Sequence, residues 1–144
     1  MSSAEKIKTF NLIIESFLAQ LSDSIGTTYS VYFKRIIKFN SLIAIESAIK
    51  YIIPYRSKII NKDETYFSDE NNYKDNIDNN VELNKHFSND KIMSEIFRLK
   101  DIYYNLDFES KENVWNILNA LVQLAIEYCD IKGIPIKYKY YNYK

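Results

Sequence analysis

The chain is predicted to be all-α, a single compact bundle of five or six helices interrupted by a long acidic, Asn-rich loop. Three observations carry this. Apolar residues recur at alternating steps of three and four in four stretches, which places one side chain per turn on a single helical face. Only two glycines and two prolines occur in 144 residues, too little turn chemistry for a sandwich or barrel of many short strands. Between the second and third stripes lies a segment rich in carboxylates and asparagines, whose composition opposes burial.

The first stripe is Ile7, Phe10, Ile14, Phe17 and Leu21. Ser2 or Ser3 supplies an oxygen for a helix N-cap, and Gly26 accepts the left-handed conformation that closes a helix, so the spacing predicts a helix over 3–24. Thr27 or Thr28 caps a second helix with Tyr29, Phe33 and Ile36 on one face, and Asn40-Ser41 marks a break. The stripe Leu42, Ile45, Ile49 and Ile52 predicts a helix over 42–53, where Pro54, lacking an N–H, stops it. A short helix over 55–61 follows. Arg56 and Lys58 stand close enough to Asp63 and Glu64 for a local ion pair, with Tyr66 and Phe67 tucked into the bundle behind it.

Over 62–90 eight carboxylates face three lysines, and Asn71, Asn72, Asn76, Asn79 and Asn80 favour bonds to their own backbone over a helix interior. This is the predicted flexible loop, with one weak turn near 81–87. The preceding stretch is its opposite: from 34 to 62 seven cations accompany the single carboxylate of Glu46. The acidic loop is expected to lie over that basic face.

Ser88 or Asn89 caps a helix reaching Leu106, with Ile92, Ile96, Leu99 and Tyr103 as its stripe. The last helix is expected over 111–130, preceded by Ser110, with Val114, Leu118, Leu121, Ala125 and Tyr128 inward and Gly133 at its end. The first and last long helices should form the core pair. One domain over 1–135 results, with a Lys/Tyr tail over 136–144.

The composition excludes several functions. Charge is balanced at 19 cations and 19 anions, so no overall field draws the chain to nucleic acid or to a membrane surface. No apolar run approaches the 18 or so residues of a membrane span, and no apolar signal block precedes the first stripe. The lone Cys129 cannot form an intramolecular disulfide; an intracellular, soluble protein is expected. His86 is the sole histidine, so no multi-histidine metal site or Cys–His pair is expected. Asp69-Glu70-Asn71-Asn72 and 75–78 have the composition of calcium loops, without the turn glycine or the terminal glutamate. Asp63 and Glu64 are adjacent and point about 100° apart on a helix, which prevents them from sharing a proton. With Gly26 and Gly133 alone, no glycine-rich phosphate loop can form. Catalytic, cofactor and metal residues are therefore expected to be none.

The residues that point to recognition are Arg56 and Lys58 in the basic stretch, Trp115 as an interface anchor or core aromatic, and Lys137, Tyr138, Lys139 and Tyr140, which interleave charge with stacking faces. The excess of Ile, Asn, Tyr and Lys follows AT-rich codons, so the 13 tyrosines reflect coding as well as packing. The block 54–67 (Pro-Tyr-Arg-Ser-Lys-Ile-Ile-Asn-Lys-Asp-Glu-Thr-Tyr-Phe) and the stretch Lys111-Glu112-Asn113-Val114-Trp115-Asn116 resemble an uncharacterised family of small helical proteins from large eukaryotic DNA viruses. The resemblance implies a viral protein acting inside an infected cell or virion, and transfers no catalytic or binding residue. The expected function is non-enzymatic protein–protein interaction or assembly, with a homodimer burying stripe that one small bundle cannot. The alternative is a nucleic-acid-associated factor using the basic 34–62 stretch and the tail.

Overall fold

Ser2 closes a capping box with Glu5: its hydroxyl accepts from the Glu5 amide at 3.2 Å, and the Glu5 carboxylate accepts from the Ser2 amide at 3.1 Å. The computed structural model describes residues 1–136 except 73 and 87, and the side chains of 76, 82, 83, 86, 89, 90 and 92 are also outside the description. From the Ser2 cap runs α1 (Ser3–Gln20), shorter than the predicted 3–24. The chain breaks at Leu21, followed by Ser22, Asp23 and Ser24, all weak helix formers, and resumes as the single turn α2 (Ser22–Ile25). Gly26, with φ of 81°, ends that turn and turns the chain into α3 (Thr28–Phe39).

The predicted break at Asn40 is present and has a local cause. The Asn40 side-chain oxygen accepts from the Leu42 amide at 3.1 Å, which ends α3 and starts α4 (Ile43–Tyr51). Pro54 sits in a 3₁₀ turn (Ile53–Tyr55), followed by α5 (Arg56–Ile60). Lys62 then takes a left-handed φ of 52°, reversing the chain.

The long loop expected over 62–90 is instead a series of short helical turns. They are α6 (Glu64–Ser68), a 3₁₀ turn (Glu70–Asn72), α7 (Lys74–Asp78) and α8 (Val81–His86). The same polar side chains that argue against one long helix close several short ones. Asp63 caps α6 by accepting from the Tyr66 amide at 3.0 Å. The Asn72 amide donates to the Tyr66 carbonyl at 2.8 Å, and the Asn84 side-chain nitrogen lies within 3.1 Å of the carbonyl oxygens of Ile77, Asp78 and Asn80.

Ser88, as expected, caps α9 (Asn89–Tyr104), accepting from the Lys91 amide at 3.2 Å. The final helix, α10 (Phe108–Lys132), begins a turn earlier than expected. Asp107 is its cap, and Ser110 stands inside the first turn with its amide on the Asp107 carboxylate at 2.7 Å. Gly133, at φ 67°, closes α10, and the Ile134 amide returns to the Cys129 carbonyl at 2.9 Å. Among the described residues there is no strand, and five helices have nine or more residues.

The expected pairing of the first and last long helices forms the centre of the fold, with α4 and α5 also packed on α10. Phe10, Ile45, Ala48, Ile53, Leu124, Ala125, Tyr128 and Cys129 are buried together. Each fully buried large side chain of this kind contributes about 1.5–3 kcal/mol. An ion pair between Lys6 and Glu127 ties α1 to α10 at the edge of this core. Ile136, predicted as the first tail residue, packs against it as well.

Candidate interaction surface

The predicted site residues fall in three places. Lys137, Tyr138, Lys139 and Tyr140 lie outside the described residues. Arg56 is half-buried on α5. Lys58 and Trp115 belong to one aromatic cluster, where α5, α6, α9 and the start of α10 meet.

In that cluster Tyr66 packs edge-on against Phe67 at 5.3 Å between ring centres, and Phe67 meets Trp115 at 6.1 Å. Tyr66 and Phe67 are therefore tucked inward as expected. The Lys58 ammonium is 3.7 Å from the Asp63 carboxylate and 4.8 Å from the centre of the Tyr66 ring. This is the predicted local ion pair, partly screened by water and worth about 0–1 kcal/mol. Glu64 takes a different partner: it accepts from the Tyr103 hydroxyl at 3.1 Å, and that hydroxyl accepts from the Trp115 indole N–H at 2.8 Å. Burial pushes the Tyr103 hydroxyl above its ordinary pKa, the Trp115 bond opposes that rise, and the Glu64 charge adds to it. The phenol stays protonated and joins α6 to α10. Trp115 is only 6% exposed. It is a core aromatic with its one donor satisfied, and the exposed-anchor alternative is set aside.

Cys129 is equally inward. It is 1% exposed, and burial, with a smaller contribution from the Asp130 charge, raises its thiol above the usual range. A thiol held protonated in this way is a packing group. Among the described residues no group of three or more His, Cys, Asp and Glu side chains converges to hold a metal.

The surface of α3 is different in kind. At 3.6 residues per turn, Val31, Tyr32, Arg35 and Phe39 fall within an arc of about 100°, flanked by Lys34 and Lys38. All six are exposed, Phe39 at 93% and Tyr32 at 58%. The inward arc, Tyr29, Phe33, Ile36 and Ile37, is half-buried against α1 and α4, as the predicted stripe requires. Between α1 and α3 runs an open groove of about 470 Å³, lined by Ile7, Leu12 and Ile37 together with Lys8, Lys34 and Lys38. Leu12 is itself half exposed. Asn11 lies at the base, where its amide donates to the Ser41 carbonyl at 3.0 Å and holds α1 to the α3–α4 junction.

Positive charge outweighs negative on this face, where, among the described residues, Glu15 is the one carboxylate that lines the groove beside Lys8, Lys34 and Lys38. The α3 segment contains no carboxylate. Among the described residues, no carboxylate lies within ion-pair distance of Lys8, Lys34, Arg35 or Lys38. The acidic segment does not supply the cover expected of it there. It is fastened elsewhere, by Glu64 on Tyr103, by Ser68 on Tyr104, and by the Lys100 ammonium on the Ser68 carbonyl at 2.8 Å. Sequence reasoning counted the cations of this region but missed Phe39, Tyr32 and Val31. Their signal was present: three large apolar side chains that fall outside the stripe of their own helix.

No helix among the described residues is long and apolar enough to cross a membrane. Comparison of the chain with protein-family models, with curated proteins and with solved structures finds no match.

Proposed function

We propose that this chain is a non-enzymatic interaction or assembly subunit, viral in origin and acting inside the infected cell or virion, and that it docks through the outer face of α3 and the adjoining groove on α1. The observation that carries the reading is the exposure of Phe39 at 93% on the same arc as Tyr32 and Val31. Single apolar side chains at a surface are ordinary, whereas several clustered on one face beside a groove are a feature of binding surfaces. The titratable groups support a role without catalysis: Cys129 is buried and held protonated, Tyr103 is occupied by Trp115 and Glu64, and Asp63 caps α6.

The test is a photo-crosslinking residue at position 35, in the centre of the face, with a second at Asn116 on the exposed side of α10 as control. Adducts to protein at 35 and none at 116, in extracts of infected cells, are the expected result. An absence of protein adducts at 35 would overturn the proposal. A second reading draws on the same arc: Lys34, Arg35 and Lys38 beside two exposed aromatic rings are also suited to phosphates and unstacked bases. It requires salt-dependent binding of a single-stranded oligonucleotide that Lys34→Glu weakens.

A further inference from the structure

We infer that the basic face of α3 receives the acidic α6–α8 segment of a second copy of this chain, in a head-to-tail contact. The inference rests on the docking reading above and names the partner. Its ground is a pair of unmatched surfaces on one molecule. Lys8, Lys34, Arg35 and Lys38 have no carboxylate within ion-pair distance among the described residues, and neither do Asp69, Glu70, Asp75 or Asp78 have a cation. Where the 34–62 stretch meets the acidic segment, Lys58 pairs with Asp63.

The acidic segment cannot readily shift to cover α3 within its own chain. Tyr66 and Phe67 are packed into the Trp115 cluster, Glu64 and Ser68 are hydrogen-bonded to Tyr103 and Tyr104 of α9, and Asn72 bonds back to the Tyr66 carbonyl within the segment. The two charged surfaces are thus held apart in one copy and are complementary between copies. Apolar contact accompanies the charge: Phe39 and Tyr32 are exposed on the basic side, and Val81 is 70% exposed on the acidic side. A formal net charge of zero removes the overall repulsion that keeps many domains monomeric. Because the two patches differ, a single contact is heterologous and propagates as a ring or an open chain, whereas two copies that make both contacts at once form an isologous two-fold pair.

The experiment is sedimentation of the full 144-residue chain and of two charge-reversed forms. One carries Lys34→Glu with Lys38→Glu; the other carries Glu70→Lys with Asp75→Lys. All four positions are exposed or half-exposed, and the thermal midpoints of both forms should match that of the parent chain. At tens of micromolar protein in about 0.1 M salt, where the screening length is about 10 Å, the parent chain should sediment above the monomer mass. In about 1 M salt, where screening falls to about 3 Å, it should return to monomer. Each reversed form alone should be monomeric at low salt, weakened at least about tenfold, and an equimolar mixture of the two should associate again because each now complements the other.

A monomeric parent chain at low salt overturns the inference, as does a mixture of reversed forms that stays monomeric. If the parent is monomeric yet position 35 still crosslinks a different protein, the docking reading stands and only the second copy is rejected. Binding of a single-stranded oligonucleotide by the monomer, abolished by Lys34→Glu with Lys38→Glu, overturns it in favour of nucleic acid.

Discussion

The helices α3 and α10 both separate apolar from polar side chains, yet they end at opposite extremes. Twelve-residue α3 has no buried residue, whereas α10 buries Trp115, Val122, Leu124, Ala125, Tyr128 and Cys129. The difference is in their neighbours. Packing by α1, α4 and α5 covers α10 from several directions, whereas α3 lies against α1 and α4 with one arc only. Periodicity in a sequence therefore says which way a helix faces, and the number of helices that meet it decides how much of it is removed from water. A helix that is apolar on a single arc and edged with unpaired cations retains a surface for another molecule.

The comparison breaks most visibly in the α1–α10 core. Phe10 is 1% exposed and packs in the cluster that α10 completes. Replacing it with alanine removes the ring and leaves a cavity bounded by α4 and α10. The expected loss for Phe10→Ala is about 3–5 kcal/mol, read as a drop in the denaturant midpoint. A loss below about 1 kcal/mol would mean that the core is looser than its burial indicates.

Much of this contrast is legible in the sequence, and what is not has definite causes. The stripe Val114, Leu118, Leu121, Ala125 and Tyr128 traces α10 correctly but follows one line, so it misses Trp115, Val122, Leu124 and Cys129 on a helix covered over a wider arc. Asp107 and Ser110 are both competent caps three residues apart. Asp107 wins because a start there adds a turn to α10, and because Asn113 stands where a box opened by Ser110 would need Glu or Gln. Over 62–90, side-chain-to-backbone bonds from Asn and Asp serve a loop and a capped short helix equally well, so composition alone does not separate them. On α3 the stripe Tyr29, Phe33 and Ile36 accounts for the inward face, and Phe39, Tyr32 and Val31 are visible only once their position outside that stripe is counted as a signal.

Acid should sharpen the comparison by acting on one side of it. Hydrogen bonds from the Ser110 amide hold the Asp107 carboxyl below the usual carboxylate range, and the Ser2 amide does the same for Glu5. The Lys6 ammonium, with help from Gln123, lowers Glu127. Each of these groups has a lower pKa folded than unfolded, so its stabilisation is present above the ordinary carboxylate range, about pH 4, and is lost as pH falls through the folded value. All three belong to α1, α10 or the pair between them. By contrast α3 has no side-chain cap and no acidic residue in its first turn. Thermal midpoints should fall as pH is lowered from 5 to about 3, and Asp107→Asn should reduce that slope. An unchanged slope in Asp107→Asn would show that the cap carries none of the acid sensitivity.

The smallest effect on stability is expected on α3 itself. Phe39 is 93% exposed at the last position of the helix, so Phe39→Ser removes a ring that touches little of its own chain. Surface changes of this kind stay within about 0.5 kcal/mol. A fold held by α10 should not register the change, and the denaturant midpoint of Phe39→Ser should match that of the parent. If the ring serves the face described above, the same variant should lose mass in low-salt sedimentation while keeping that midpoint. A drop of about 2 kcal/mol in stability would instead place Phe39 inside the chain's own packing, close to the contribution of a fully buried phenylalanine. The contrast between the two helices would then be one of degree, and α3 would no longer present an open surface.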